Sequence, residues 1–192
     1  LILPPAEQSL SDVYRVGERI KVYILSVEKT NKFPKILISR KNEGLLKKLF
    51  EIEIPEITSG IIEIKSVARE AGSRAKVAVY SAVPNIDTVG ACIGQRGARI
   101  KNIVDELNGE RIDIVEWKPV VEEFVSAVLS PAVVSNVTIL EDGTARVLVE
   151  PSQLSLAIGK NGQNARLAAR LTGMRVDIKV IDNETLKEEE NE

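Results

Sequence analysis

Two stretches of the chain are copies of one pattern. Residues 92–114 read Cys-Ile-Gly-Gln-Arg-Gly-Ala-Arg-Ile-Lys, then a helix-like run, then Asn-Gly-Glu-Arg-Ile-Asp-Ile. Residues 157–178 read Ala-Ile-Gly-Lys-Asn-Gly-Gln-Asn-Ala-Arg, a similar run, then Thr-Gly-Met-Arg-Val-Asp-Ile. Each copy holds Ile-Gly-x-x-Gly and closes on Gly-x-Arg-(Ile/Val)-Asp-Ile, the second being one residue shorter in between. Such self-similarity means that one supersecondary unit is built twice. Every element assigned to one copy therefore needs a counterpart in the other.

The counterparts are present upstream. Strand-like runs 61–67 and 75–80 flank Ala71-Gly72-Ser73, and runs 133–140 and 144–149 flank Glu141-Asp142-Gly143. Helical stretches, 45–50 and 120–129, precede the two pairs. Asp87 can cap the helix leading to Gly94, and Pro151 suits a first helical position. Ile100, Ile103, Val104 and Leu107 recur at helical spacing before Gly109, as do Leu167, Ala168 and Leu171 before Gly173. Strands at 111–115 and 175–181 complete a three-stranded sheet in each copy. The expected order is helix, strand, strand, helix, Gly-x-x-Gly, helix, strand: a two-layer α+β core of about 65 residues. Residues 1–40 differ. Strands at 19–27 and 35–39 around Thr30-Asn31-Lys32 suggest about three strands, short of the five of an OB-type barrel.

Composition narrows the chemistry. The chain has no histidine and one cysteine. It lacks the commonest general base and zinc ligand and cannot form an internal disulfide. No metal or cofactor is expected, and a reducing compartment is. No apolar run is long enough for a bilayer. Leu1-Ile2-Leu3-Pro4-Pro5 does not read as a signal peptide, and the strand-like opening without Met reads as a piece of a longer protein. The net charge of -2 is unevenly placed: +3 in residues 1–40, balanced in 41–118 and 119–181, and -5 in 182–192. The acidic end is expected to be a disordered tail. The rest predicts local basic loops rather than a broad basic face, with modest affinity and salt dependence for nucleic acid.

The loops carry the chemistry. Paired glycines permit a tight turn and let a sugar-phosphate backbone approach the main chain. The next helix offers free N–H groups and its positive dipole end. Arg96 and Lys160 lie inside the loops, and Arg99 and Arg166 sit about a turn further on. With 12 glycines in 192 residues, one Gly-x-x-Gly is unremarkable and reads as a helix-turn-helix linker. Two in the same element context, each with basic residues, point instead to KH domains, which read about four nucleotides of single strand. The candidate RNA-binding residues are Ile93, Gly94, Gln95, Arg96, Gly97 and Arg99 in the first copy. In the second they are Ile158, Gly159, Lys160, Asn161, Gly162, Gln163, Asn164 and Arg166. No catalytic residue is assigned. Cys92 aligns with Ala157 and reads as a small buried residue; Trp117 reads as packing between the two copies; Met174 reads as core. Asp113 and Asp177 read as caps or salt-bridge partners, and Lys47-Lys48 as a solvated helix face.

The motifs resemble the NusA family of bacterial transcription termination/antitermination factors. Val89-Gly90-Ala91-Cys92-Ile93-Gly94-Gln95-Arg96-Gly97-Ala98-Arg99-Ile100, with Gly109-Glu110-Arg111-Ile112-Asp113-Ile114-Val115-Glu116-Trp117, resembles the family's first KH domain. Phe50-Glu51-Ile52-Glu53-Ile54-Pro55-Glu56-Ile57 and Gly72-Ser73-Arg74-Ala75-Lys76-Val77-Ala78-Val79 resemble its upstream helix exit and second strand. Ala157-Ile158-Gly159-Lys160-Asn161-Gly162-Gln163-Asn164-Ala165-Arg166-Leu167-Ala168 resembles the second KH domain, and Tyr14, Gly17 and Ile38-Ser39-Arg40 resemble the end of an S1 domain. The implied fold class is α+β: a partial OB/S1-type β-barrel (1–40), then two tandem type II KH domains (41–118 and 119–181), each with a three-stranded sheet and three helices. The resemblance implies a cytoplasmic, non-enzymatic factor. It would bind nascent single-stranded RNA beside RNA polymerase and modulate pausing, termination and antitermination. Contacts with polymerase and other transcription factors are expected mostly outside this stretch. The half of S1 that usually supplies RNA-stacking aromatics has no counterpart, so Tyr14, Tyr23 and Phe33 are given no RNA contact. A monomer without membrane attachment is expected.

Two other readings stay open: the RNA-binding accessory region of an RNA-degrading enzyme, and a ribosomal KH protein. The first is expected to place KH before S1, the reverse of the order here. The second is expected to be more basic and to lack a tandem repeat.

Overall fold

A computed structural model describes residues 1–181; the acidic stretch expected to be disordered, 182–192, lies outside the described residues. The chain forms two compact units, Leu1–Ile114 and one beginning at Val115.

In the first unit, β1 (Tyr23–Glu28) and β2 (Lys35–Ser39) pair antiparallel, Tyr23 opposite Ser39 and Glu28 opposite Lys35. Ile2 adds an isolated parallel bridge to Leu37. Two strands and a bridge thus stand where three strands were expected, and no closed barrel forms among the described residues. Helix α1 (Glu43–Glu53) starts where the Asn42 side chain accepts the Gly44 N–H, and buries Leu45, Leu46, Leu49 and Phe50 on one face. Pro55, which cannot supply an N–H to continue α1, instead opens the short α2 (Pro55–Thr58). Strands β3 (Glu63–Glu70) and β4 (Arg74–Tyr80) pair antiparallel, and β5 (Arg111–Glu116) lies on the other side of β4. Helices α3 (Thr88–Ile93) and α4 (Ala98–Glu106) close the unit. Its core unites Leu46, Phe50, Ile54 and Ile62 with Val77 and Val79, and with Cys92, Ile103 and Leu107 from around the glycine loop.

Buried ion pairs fasten this unit in ways no periodicity announces. Arg40, 1% exposed, holds Asp12 through Nε (2.6 Å) and Nη2 (3.0 Å). The same side chain reaches Glu106 Oε1 at 3.2 Å and the Glu106 carbonyl at 2.9 Å. Asn108 donates to Asp12 at 2.7 Å. The opening segment is thereby tied to the end of α4. It also crosses the β3–β4 turn: a Cβ on Gly72 would meet Ser11 N at 2.6 Å. Arg69 pairs with fully buried Glu110 at 2.7 Å, and the Gly72 N–H donates to the same carboxylate. Asp113 takes the ion-pair role expected of it, 2.7 Å from Arg74 and 2.9 Å from Lys76.

The second unit repeats the plan: α5 (Val121–Val128), β6 (Asn136–Ile139), β7 (Ala145–Val149), α6 (Leu154–Ile158), α7 (Gln163–Thr172) and β8 (Val176–Val180). Its sheet runs β6-β7-β8, with β6 antiparallel and β8 parallel to β7. Phe124, Val125, Val128, Val147, Val149, Ala157, Leu167, Ala168 and Leu171 are buried. Pro151 sits at the first position of a 3-10 turn before α6, and Gly173 caps α7 at φ 71°. Among the described residues of this unit there is no counterpart of α2. Met174, expected in the core, is half-buried where the chain turns into β8. Trp117 packs its ring on Phe124 within this unit, with centroids 6.4 Å apart at 54°. No described helix is long and apolar enough to cross a membrane.

Candidate nucleic-acid interface

The two glycine loops have almost the same backbone. Gly94 (φ 76°, ψ 170°) matches Gly159 (75°, 171°), Arg96 (53°, 26°) matches Asn161 (54°, 29°), and Gly97 (75°, 15°) matches Gly162 (73°, 14°). Four positive φ angles on non-glycine residues occur among the described residues, and two of them are these loop positions. Each loop is closed by the second glycine's N–H donating to the first glycine's carbonyl, at 3.0 Å in the first unit and 3.1 Å in the second. The helix before the first loop begins at Asp87, whose carboxylate accepts the Gly90 N–H at 2.8 Å.

The two glycines of each motif answer different demands. A Cβ on Gly94 would lie 2.7 Å from the Arg99 side chain, and one on Gly159 would lie 2.8 Å from Asn164. Their torsions also fall in a region essentially closed to other residues. The first glycine is therefore required by the protein's own packing. A Cβ on Gly97 would have nothing within 4 Å, and one on Gly162 would meet only the Arg166 guanidinium, at 3.9 Å. The second glycine faces open space at the start of α4 or α7, where first-turn N–H groups and the helix dipole favour an anion.

Most of the sequence-predicted residues lie at the loop of their own unit. Gln95, Arg96, Lys160, Asn161 and Arg166 are exposed; Gly94, Gly97, Gly159, Gly162 and Gln163 are partly so. Ile93 and Ile158, each 38% exposed at the end of the preceding helix, give each loop an apolar shoulder. Arg166 folds back to donate to the Asn161 carbonyl at 3.1 Å, which brings its charge to the loop.

Two residues depart from the expectation of an RNA contact. Asn164 is fully buried, and its amide donates to the carbonyls of Leu129 (2.9 Å), Ala157 (3.1 Å) and Leu156 (3.3 Å). Arg99 donates at 2.8 Å both to the Ala91 carbonyl and to Glu56. The Glu56 carboxyl is held below its usual range by its own backbone N–H and by Arg99, against the opposing effect of burial. Sequence reasoning paired Arg99 with Arg166 and missed Glu56. Aligning the copies on their glycines instead pairs Arg99 with Asn164 and Lys101 with Arg166, and that count was available in the sequence. Lys101 is tied along its own helix to Asp105. Cys92 is buried like Ala157, and burial pushes its thiol up to about 12, so it is no nucleophile near neutral pH. Among the described residues no group of His, Cys, Asp and Glu could hold a metal ion.

Comparison with known proteins matches both repeated domains to one family. Residues 40–117 match the NusA-like first KH domain, and residues 121–186 the NusA-like second KH domain. The transcription termination/antitermination protein NusA of Halalkalibacterium halodurans is 55% identical over 179 residues, covering 93% of this chain and 47% of the relative. That of Bacillus subtilis is 54% identical, covering 93% and 48%, and that of Thermus thermophilus 46% identical, covering 97% and 48%. The chain spans about half the length of these curated relatives. A crystal structure titled APE1850 shares the fold at TM-score 0.52 and 22% identity, covering 69% of this chain and 94% of that one. With tandem NusA-like KH domains in order along its length, the chain belongs to the NusA family.

Proposed function

We propose that this chain binds single-stranded RNA through its two glycine loops, as the RNA-binding part of a cytoplasmic factor that modulates RNA polymerase pausing, termination and antitermination. The observation that carries the reading is the identity of the two loop backbones, built from different residues yet leaving the second glycine unobstructed in both. Two unrelated linkers have no reason to share such torsions; two sites for the same phosphate backbone do. In this reading Arg96, Lys160 and Arg166 meet phosphates, Gln95, Asn161 and Gln163 border them, and Ile93 and Ile158 support bases. The domain limits are 1–40, 41–118 and 119–181. The chain acts by binding rather than catalysis, and its partners are the transcript and, through the longer protein, polymerase and other transcription factors. The family match of both KH domains favours this over an RNA-degrading or ribosomal role.

Fluorescence anisotropy tests it, with single-stranded and duplex RNA titrated into the wild type and a Gly97→Asp/Gly162→Asp variant. Each aspartate puts a side chain and a negative charge where phosphate should pass. The wild type should prefer single strands, and the folded variant should lose at least about tenfold in affinity, or roughly 1.4 kcal/mol. Equal binding by both proteins would remove the loops from the interface.

A further inference from the structure

We infer that Arg99 and Asn164 are equivalent positioning residues: each staples its glycine loop to the two helix ends beneath it, and neither grips phosphate. The inference rests on the RNA-binding reading above and assigns these residues a role within it.

Arg99 and Asn164 both stand five residues after the first glycine of their motif. Both donate to the end of the helix entering the loop, Arg99 to the Ala91 carbonyl and Asn164 to those of Leu156 and Ala157. Ala91 and Leu156 are themselves equivalent, each three residues before that glycine. Both residues also reach the exit of their unit's first helix. Asn164 does so through the Leu129 carbonyl, the C-cap of α5. Arg99 does so through Glu56, carried on α2 immediately after α1. Among the described residues the second unit has no α2, and its anchor is the Leu129 carbonyl rather than a carboxylate, so a short neutral amide suffices there. In the first unit the anchor is anionic, and a cation completes the same three-way junction.

The chemistry of each side chain fits this duty. All three atoms facing the Asn164 amide nitrogen are carbonyl oxygens, so only a donor satisfies them. The Asn164 side chain is fully buried, its amide nitrogen engaged and its Oδ1 without a hydrogen-bond partner, so burial keeps it from an RNA strand at the surface. Arg99 has its Nη1 on both a carboxylate and a carbonyl. Each residue also blocks a Cβ at its first glycine, so staple and glycine fix the loop together.

The test exchanges one staple for the other. Because the loop backbones coincide, Arg99→Asn should restore donation to the Ala91 end of α3 while deleting the positive charge; Arg99→Ala deletes both. The full chain is titrated at several salt concentrations with a labelled, randomised single-stranded RNA pool about ten nucleotides long, longer than the about four nucleotides that one loop reads. In parallel, amide NMR shifts of Gly94 and Gly97 are recorded without RNA. We expect Arg99→Ala to weaken binding about fivefold, to move both glycine shifts, and to leave the salt slope at its wild-type value. Arg99→Asn should recover most of the affinity and both shifts. Arg96→Gln is the contrast: it should flatten the slope by about 0.7, one phosphate contact on a single strand. The inference is overturned if Arg99→Asn binds as poorly as Arg99→Ala and both lose about 0.7 of slope, or if the glycine shifts ignore the substitutions. Failure of the RNA-binding reading looks different: wild type and Gly97→Asp/Gly162→Asp would bind alike, while the shifts still decide the staple.

Discussion

At the scale of single residues, each Gly-x-x-Gly motif divides its labour. Gly94 lies in torsion space essentially reserved for glycine and against the Arg99 side chain, whereas Gly97 is left-handed but unobstructed. Gly94→Ala should therefore lower the unfolding free energy by about 3 kcal/mol, and Gly97→Ala by only about 1 kcal/mol. Urea denaturation of the two variants checks the order; equal costs would mean that the Arg99 contact imposes nothing. The sequence made both glycines visible but not their difference, because the clash depends on a side chain that turns back five residues later. Asn164 misleads for the same reason: a polar residue beside a loop looks like surface until the carbonyls it serves are placed around it.

At the scale of elements, the legible parts were those governed by periodicity and punctuation. Helix α1, the hairpin strands, the Asp87 cap and the Gly173 stop all follow from spacing and backbone rules that act within a few residues. The ties between elements were not legible. Arg40 is charged and close to a strand end, which reads as surface, yet it is 1% exposed among Asp12 and Glu106. Arg40→Ala would leave the buried Asp12 carboxylate without its cation, while Glu106 keeps Lys21. We expect a loss of about 3 kcal/mol, since removing one partner of a buried pair strands the other's charge. Hydrogen exchange should then quicken in residues 1–40 and at the end of α4, while the amides of β6–β8 keep their protection. Uniform quickening throughout would refute a local tie.

At the scale of the whole molecule, the buried ion pairs of the described residues lie in the first unit, so the two units should answer acid differently. Burial would raise the Asp12 carboxyl, but Arg40, Asn108 and Tyr14 outweigh it and hold the group below its usual range. Glu106 is likewise lowered, against burial, by Lys21 and Arg40. A carboxylate lowered by folding stabilises the native state above its unfolded value, near pH 4, and loses that contribution as pH falls through the lowered value. Protection of the first unit's amides should thus persist to about pH 4 and fail before the second's on further acidification; the reverse order in hydrogen exchange would contradict it. The repeat made the two units recognisable as copies, yet their unequal electrostatics come from non-equivalent residues and could not be read from it. The Asp12–Asn108 bond also sets a schedule. Its partners are 96 residues apart, so at the ribosome's pace of about 5–20 residues per second the opening segment emerges roughly 5–20 seconds before its anchor exists. In that interval the segment around Asp12 lacks its partner and is open to chaperones and proteases.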